Sequence, residues 1–173
     1  MRTNIEQEAM RALTPTGGFL RGFAYSLNPY TGCAFGAGGG CPFCYVRALP
    51  VAHAGRWGAW VIAKTNLPQL LERELAALAR SGKLADATIF MSSATDPYQG
   101  VERRLGLTRR ALEAFVRHPP RRLVIQTRSP LTSATSTSSD AWASGRLHRS
   151  RSRPTTIRCG AQLRRRHLQS HGG

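Results

Sequence analysis

The sequence predicts an α/β fold built on a parallel sheet, and three observations predict it. Ala87-Thr-Ile-Phe-Met91 and Arg122-Leu-Val-Ile-Gln-Thr127 are apolar, β-branched runs of strand length. Each is preceded by a stretch of helical apolar spacing, one opening at Asn66 and the other at Thr108. Further upstream, Phe23-Ala-Tyr-Ser-Leu27 alternates as a strand does. Strand, helix, strand, helix, strand is the grammar of parallel α/β sheets.

The elements have legible ends. Residues 4–13 suit a short helix that Thr14-Pro15-Thr16-Gly17-Gly18 would stop. Trp60-Val-Ile-Ala63 is a brief apolar run. Asn66 is placed to cap the next helix, with Pro68 in its first turn and Leu71, Leu75 and Leu78 on one stripe, and Ser81-Gly82 ends it. After Met91 comes the polar string Ser92-Ser93-Ala94-Thr95-Asp96-Pro97-Tyr98-Gln99. Thr108 is expected to cap a second helix burying Ala111, Leu112, Phe115 and Val116, which His118-Pro119-Pro120 breaks. Residues 33–44 hold Gly36, Gly38, Gly39 and Gly40 between cysteines and read as loop.

Composition narrows the function classes. A hydrophobic fraction of 41% over 173 residues allows a real core. No apolar run reaches the ~18 residues of a membrane span. The acidic start of the chain is unlike a signal peptide, so a cytoplasmic protein is expected, whose cysteines serve metal or redox chemistry rather than disulfides. The net charge of +16 points toward nucleic acid as a partner. Its distribution weakens that inference: residues 132–173 carry eight arginines against Asp140 alone, and only Lys64 and Lys83 are lysines against 23 arginines. A GC-rich coding sequence produces the same bias.

Cys33, Cys41 and Cys44 lie within twelve residues of one another on that glycine-rich loop. Thiolates are soft ligands, and a flexible loop lets them wrap a compact metal centre. Three readings compete: chance clustering, a zinc site with His53 as fourth ligand, and a four-iron cluster. In the last, three cysteines hold three irons, and the fourth iron keeps positions open for the amino and carboxylate groups of S-adenosylmethionine (SAM).

The surrounding motifs carry a resemblance. Asn28-Pro29-Tyr30-Thr31-Gly32-Cys33, Cys41-Pro-Phe-Cys44-Tyr45, Lys64-Thr65-Asn66, Thr95-Asp96-Pro97-Tyr98-Gln99-Gly-Val-Glu102, Thr108-Arg109 with Leu112-Glu113, and Gln126-Thr127-Arg128-Ser129 follow in order. Over residues 23–131 this string resembles the spore photoproduct lyase-like branch of the radical SAM superfamily. The resemblance implies an incomplete parallel (β/α) partial barrel, with residues 1–22 as an extension before it. It implies a [4Fe-4S] cluster on Cys33, Cys41 and Cys44, SAM as cofactor, and a reductant such as flavodoxin or ferredoxin. Phe43 takes the aromatic position near the adenine, while Ser93, Thr95 and Asp96 lie near the amino acid end of the SAM. Thr127, Arg128 and Ser129 end the third strand toward the same pocket, Arg128 standing where relatives often have lysine. The spacing here is C-x7-C-x2-C rather than C-x3-C-x2-C, with Ala37-Gly38-Gly39-Gly40 as the added residues. Doubling a flexible loop costs only about 0.6 kcal/mol, so the ligands are retained. The lyase proper uses a cysteine on the strand occupied here by Ile89–Ser93; its absence leaves the substrate and any catalytic residue unassigned. The alternative function is a non-catalytic, zinc-binding, basic nucleic-acid-binding module.

A complete eight-unit barrel takes about 250 residues. The three strands of residues 23–131 are therefore expected to leave the SAM pocket open on one side and its turnover feeble or absent. Beyond Pro130 the pattern stops: Thr132–Ser139 is nearly all Ser and Thr, and arginines then recur without an apolar period. Residues 132–173 are expected to be a largely disordered, Arg/Ser-rich tail without helix or strand. They read best as the product of a shifted reading frame, the alternatives being a genuine basic tail for nucleic acid or an end that folds in its own way.

Overall fold

The computed structural model describes residues 3–35, 40–129, 147–150 and 155–160. Its strands are β1 (Thr3–Gln7), β2 (Thr14–Pro15), β3 (Tyr25–Leu27), β4 (Tyr30–Cys33), β5 (Trp60–Lys64), β6 (Thr88–Met91), β7 (Arg122–Thr127), β8 (Leu147–Ser150) and β9 (Thr155–Gly160). Its α-helices are α1 (Leu67–Arg80), α2 (Glu102–Leu105) and α3 (Leu107–Arg117).

Two sheets of mixed direction form. The larger runs β2-β3-β6-β7-β9-β8, and the smaller runs β1-β5-β4. In the larger, β3, β6 and β7 pair in parallel, with Leu27 opposite Met91 and Met91 opposite Ile125. The expected partial barrel is overturned. A barrel needs the parallel run to continue around an axis, but here antiparallel strands stop it on both sides. β2 closes the outer edge of β3, and β9 takes that of β7 with Leu123 opposite Cys159. The expectation that residues 132–173 hold no strand is corrected at β8 and β9. Thr155-Thr-Ile is β-branched, and the free edge of β7 offers unpaired N–H and C=O groups to it. The Ser/Thr-rich stretch lies outside the described residues.

Helices α1 and α3 cover one face of the larger sheet. Leu67, Leu71 and Leu75 from α1 and Ala111, Leu112 and Phe115 from α3 meet Leu27, Ile89, Met91, Leu123 and Ile125. Val116, expected inside, is instead partly exposed. Asn66 precedes α1 without capping it, because its amide is engaged elsewhere: Oδ1 accepts from Ala9 N (2.8 Å) and Nδ2 donates to Ala9 O (2.9 Å). Thr108 sits inside α3. The free N–H groups of its first turn are satisfied by the Glu102 carboxylate, which accepts from Thr108 N (3.0 Å) and Arg109 N (3.1 Å). Residues 4–13 do not form the expected helix. β1 lies parallel to β5, Thr3 opposite Trp60, and the chain behind it is pinned where Glu74 accepts from Ala12 N and Leu13 N.

Midway along α1, Glu72 accepts from Arg117 at the end of α3 (2.7 Å) and lies 2.9 Å from His118 Nε2. Hydrogen bonding from Arg117, then from His118, holds the Glu72 carboxyl below its usual range. A depressed carboxylate contributes stability above its unfolded pKa and loses it as pH falls through the folded value. Glu72→Gln is therefore expected to cost under about 1 kcal/mol at neutral pH, since the pair is largely exposed. Urea midpoints should converge with the natural sequence as the pH drops below about 4.

Candidate functional site

The carboxyl ends of β6 and β7 and the end of β4 with the loop after it meet at one cavity of about 140 Å³. A single water needs about 10–15 Å³, so a ligand of many atoms fits. Cys33, Cys41, Cys44, Phe43, Ser93, Thr95, Asp96 and Arg128 all line it, together with Phe35, Trp57, Ser92 and Gln126. Thr127 and Ser129, also expected toward this pocket, are buried outside its lining. His53 is outside it too: it is exposed on the turn Pro50–Ala54, away from the cavity lining.

Strand pairing fixes the first thiol. Cys33 closes β4 opposite Trp60, and Gly32 before it takes φ +80°. A Cβ on Gly32 would stand 2.5 Å from the Trp60 ring and 2.7 Å from its carbonyl, so only glycine lets β4 approach β5 here. Cys33 is buried and the other two thiols are partly so, in an apolar shell that includes Phe35, Val46, Ala52, Trp57 and Trp60. Burial pushes the Cys33 thiol up, against the Phe35 backbone and Gln99 side-chain hydrogen bonds. A positive metal centre would reverse that preference by favouring the thiolate.

Polar side chains that carry no periodic signal hold the walls together. Gln99, fully buried, accepts from Ala34 N (3.0 Å) and donates to Gly32 O (3.3 Å) and Thr95 Oγ1 (2.9 Å). Asn28 Oδ1 accepts from Ala94 N (3.1 Å), and its amide reaches Ser93 Oγ at 3.4 Å. The Tyr45 hydroxyl donates to Ser93 O. Sequence reasoning assigned no role to these residues or to Trp57; Asn28 and Gln99 were visible only as members of polar strings around the cysteines and after β6.

Two of the expected SAM contacts are committed to the protein. Asp96 Oδ1 accepts from Tyr98 N (2.9 Å) and Thr127 Oγ1 (2.9 Å), and Oδ2 accepts from Arg128 N (2.7 Å). Burial pushes its carboxyl up, against the pull of the Arg128 and Tyr98 N–H groups, the Thr127 hydroxyl and the Arg128 charge. Asp96 thus ties the loop after β6 to the end of β7. Thr95 donates to Gly32 O (2.6 Å) while accepting from Gln99. The side chains left to meet a ligand are Phe43, Ser93 and Arg128. Phe43 is 60% exposed, and the Arg128 guanidinium lies 3.8 Å from its ring centroid. Arg128 therefore places a positive charge at the mouth of the thiol-lined cavity.

The strand end below the cavity is itself unusual. Ser92 takes φ 74°, the sole non-glycine residue with positive φ among those described, and its buried Oγ has no partner. A left-handed serine costs about 1–3 kcal/mol and marks a place where surrounding structure imposes the conformation. The other unpartnered polar atom on the cavity wall is Trp57 Nε1.

Among the described residues, no three His, Cys, Asp or Glu side chains converge to hold a metal ion. A zinc ion requires such convergence, since Zn–S bonds of about 2.3 Å bring all its sulfurs around one point. A four-iron cluster divides its three thiols among three irons, so its sulfurs sit further apart than those around one zinc. The donor set of three cysteines and the apolar residues beside them suit such a group.

No helix among the described residues is long and apolar enough to cross a membrane. No family model matches the chain, and no solved structure matches it. The chain is similar to an uncharacterized protein of Methanocaldococcus jannaschii, 33% identical over 110 residues. That stretch is 63% of this chain and 37% of the archaeal protein, so the chain spans well under half the length of the curated relative it matches.

Proposed function

We propose that this chain carries the cluster-binding part of a radical SAM enzyme acting on a substrate not yet assigned. The observation that carries the reading is the meeting of Cys33, Cys41 and Cys44 with Phe43, Ser93 and Arg128 around one cavity. Held by Cys33, Cys41 and Cys44, a [4Fe-4S] cluster would supply the electron for reductive cleavage of SAM to methionine and a 5′-deoxyadenosyl group. The residues of the chain do the positioning. The three thiolates hold the irons, and the apolar shell of Phe35, Val46 and Trp57 keeps water away. Arg128, with its guanidinium over the Phe43 ring, would bring positive charge to the mouth of the cavity, and Ser93 would offer a hydroxyl to the amino acid end of SAM. Gln99 and Asp96 fix the walls. A flavodoxin or ferredoxin of the cytoplasm supplies the electron.

The test is anaerobic incubation of the reduced, reconstituted protein with SAM. Slow formation of 5′-deoxyadenosine is expected, and Cys44→Ala should abolish it. A fully loaded cluster that yields no 5′-deoxyadenosine, and whose EPR signal ignores SAM, would overturn the reading.

A further inference from the structure

The cysteines of the cavity are not alike. Cys33 ends β4 and is 8% exposed, whereas Cys41 and Cys44 are both partly exposed. These two are the first and last residues of one turn, Cys41-Pro42-Phe43-Cys44, closed by a hydrogen bond from Cys44 N to Cys41 O (3.1 Å). The sequence suits that turn, because Pro42 stands at the position where a fixed φ is favoured. Such a turn brings its terminal Cα atoms within about 7 Å, and disulfides span about 4.4–6.8 Å. The turn is also anchored on both sides. Before it, Gly40 takes φ +72°, and a Cβ there would stand 2.9 Å from the Trp57 ring. After it, the Tyr45 hydroxyl donates to the backbone carbonyl of Ser93, another residue of the cavity lining. The two cysteines are therefore held near one another before any bond or metal joins them.

We propose that Cys41 and Cys44 form a dithiol that a low-molecular-weight disulfide oxidises to an intramolecular disulfide, leaving Cys33 reduced. This concerns the metal-free chain and goes beyond the proposed function, since it holds whichever centre the loop takes. The thiolate of one cysteine attacks a sulfur of the small disulfide, and the first small thiol leaves. The thiolate of the other attacks the protein sulfur of that mixed disulfide, the second small thiol leaves, and the Cys41–Cys44 S–S bond has formed. The protein gives up two electrons and two thiol protons, and both appear on the two small thiols released. Geometry favours the second step, because its partners are tethered across one turn. Cys33 instead lies in the apolar shell of Val46, Ala52 and Trp57, where a polar oxidant has poor access. Oxidation withdraws two of the three thiols that line the cavity, so the loop takes a metal only once the pair is reduced.

The test uses the full chain carrying Cys159→Ala, reduced and freed of metal, then treated anaerobically with excess oxidised glutathione. Of the three thiols left from the four of the natural sequence, two should be lost. Peptide mapping of the acid-quenched protein should place them in a Cys41–Cys44 disulfide with no glutathione retained. Cys33 should still react with an alkylating reagent once the chain is unfolded. Adding Cys44→Ala should stop the exchange at its first step, with glutathione retained on Cys41. A disulfide that includes Cys33 in either protein, or glutathione retained on both Cys41 and Cys44, overturns the proposal. So does a chain that keeps all three thiols. The iron content of the reconstituted natural sequence is a separate measurement, and neither result decides the other.

Discussion

Cys41→Ala is expected to leave the reconstituted protein with essentially no iron, against about four irons per chain for the natural sequence. The loop supplies three thiols to the cavity, and the one carboxylate lining it, Asp96, is taken up by Tyr98, Thr127 and Arg128. Two thiolates cannot hold three corners of a cluster, and the lost contact takes with it the closure of the loop between Cys33 and Cys44. Cys159→Ala is the matching control. Cys159 lies on β9 opposite Leu123, at the start of β7, whereas the cavity is at the other end of that strand. The four residues from Leu123 to Thr127 span about 13 Å. Iron content in the Cys159 variant should therefore equal that of the natural sequence. Equal iron loss in both variants would mean that the ligand set is wrong. Circular dichroism of the metal-free proteins should show no difference, because a free Cys41 makes no contact on which the larger sheet depends.

Asp96→Ala is expected to destabilise the metal-free protein by about 3 kcal/mol or more. Three donors lose their acceptor at once: the N–H groups of Tyr98 and Arg128 and the hydroxyl of Thr127. The Tyr98 and Thr127 bonds are buried and the Arg128 bond is partly so, and each buried unsatisfied donor costs about 1–3 kcal/mol. For a domain of this size that corresponds to a fall in melting temperature of about 6–12 °C. Iron uptake should also drop, since the loop carrying Ser93 and Thr95 is no longer tied to β7. The resemblance alone would make Asp96 a SAM contact, and the two roles separate cleanly. If Asp96→Ala keeps its melting temperature and merely binds SAM more weakly, the tie is not what Asp96 provides.

How much of this was legible depends on where each residue's conformation is decided. The parallel neighbours β3, β6 and β7 and the two helices covering them could be read locally. Ile89, Met91, Leu123 and Ile125 announce buried strands, and Leu71 and Leu75 repeat at helical spacing. β1 could not. Residues 4–13 are rich in Glu, Gln, Ala, Met and Leu, all good helix formers, and only the open edge of β5 makes a strand of Thr3–Gln7. β4 was hidden by Pro29 and Gly32, which look like turn residues until Trp60 is known to lie against the glycine. The partial barrel failed for a similar reason. Nothing in β7 itself says that its second neighbour arrives antiparallel, from a segment whose arginines mask a short β-branched run. In the site, the thiols and the residues next to them were readable because they cluster in sequence. Trp57 was not, because it stands alone in a loop, and although Asn28 and Gln99 belong to the quoted motif strings, nothing local says that they accept from Ala94 N and Ala34 N.

The most direct test of the central claim is the iron, zinc and acid-labile sulfide content of one anaerobically reconstituted preparation of the natural sequence. The account predicts about four irons and four sulfides per chain, with zinc negligible, as the cluster type requires. One zinc per chain with no sulfide would contradict it, and would mean that the three cysteines serve a mononuclear site instead.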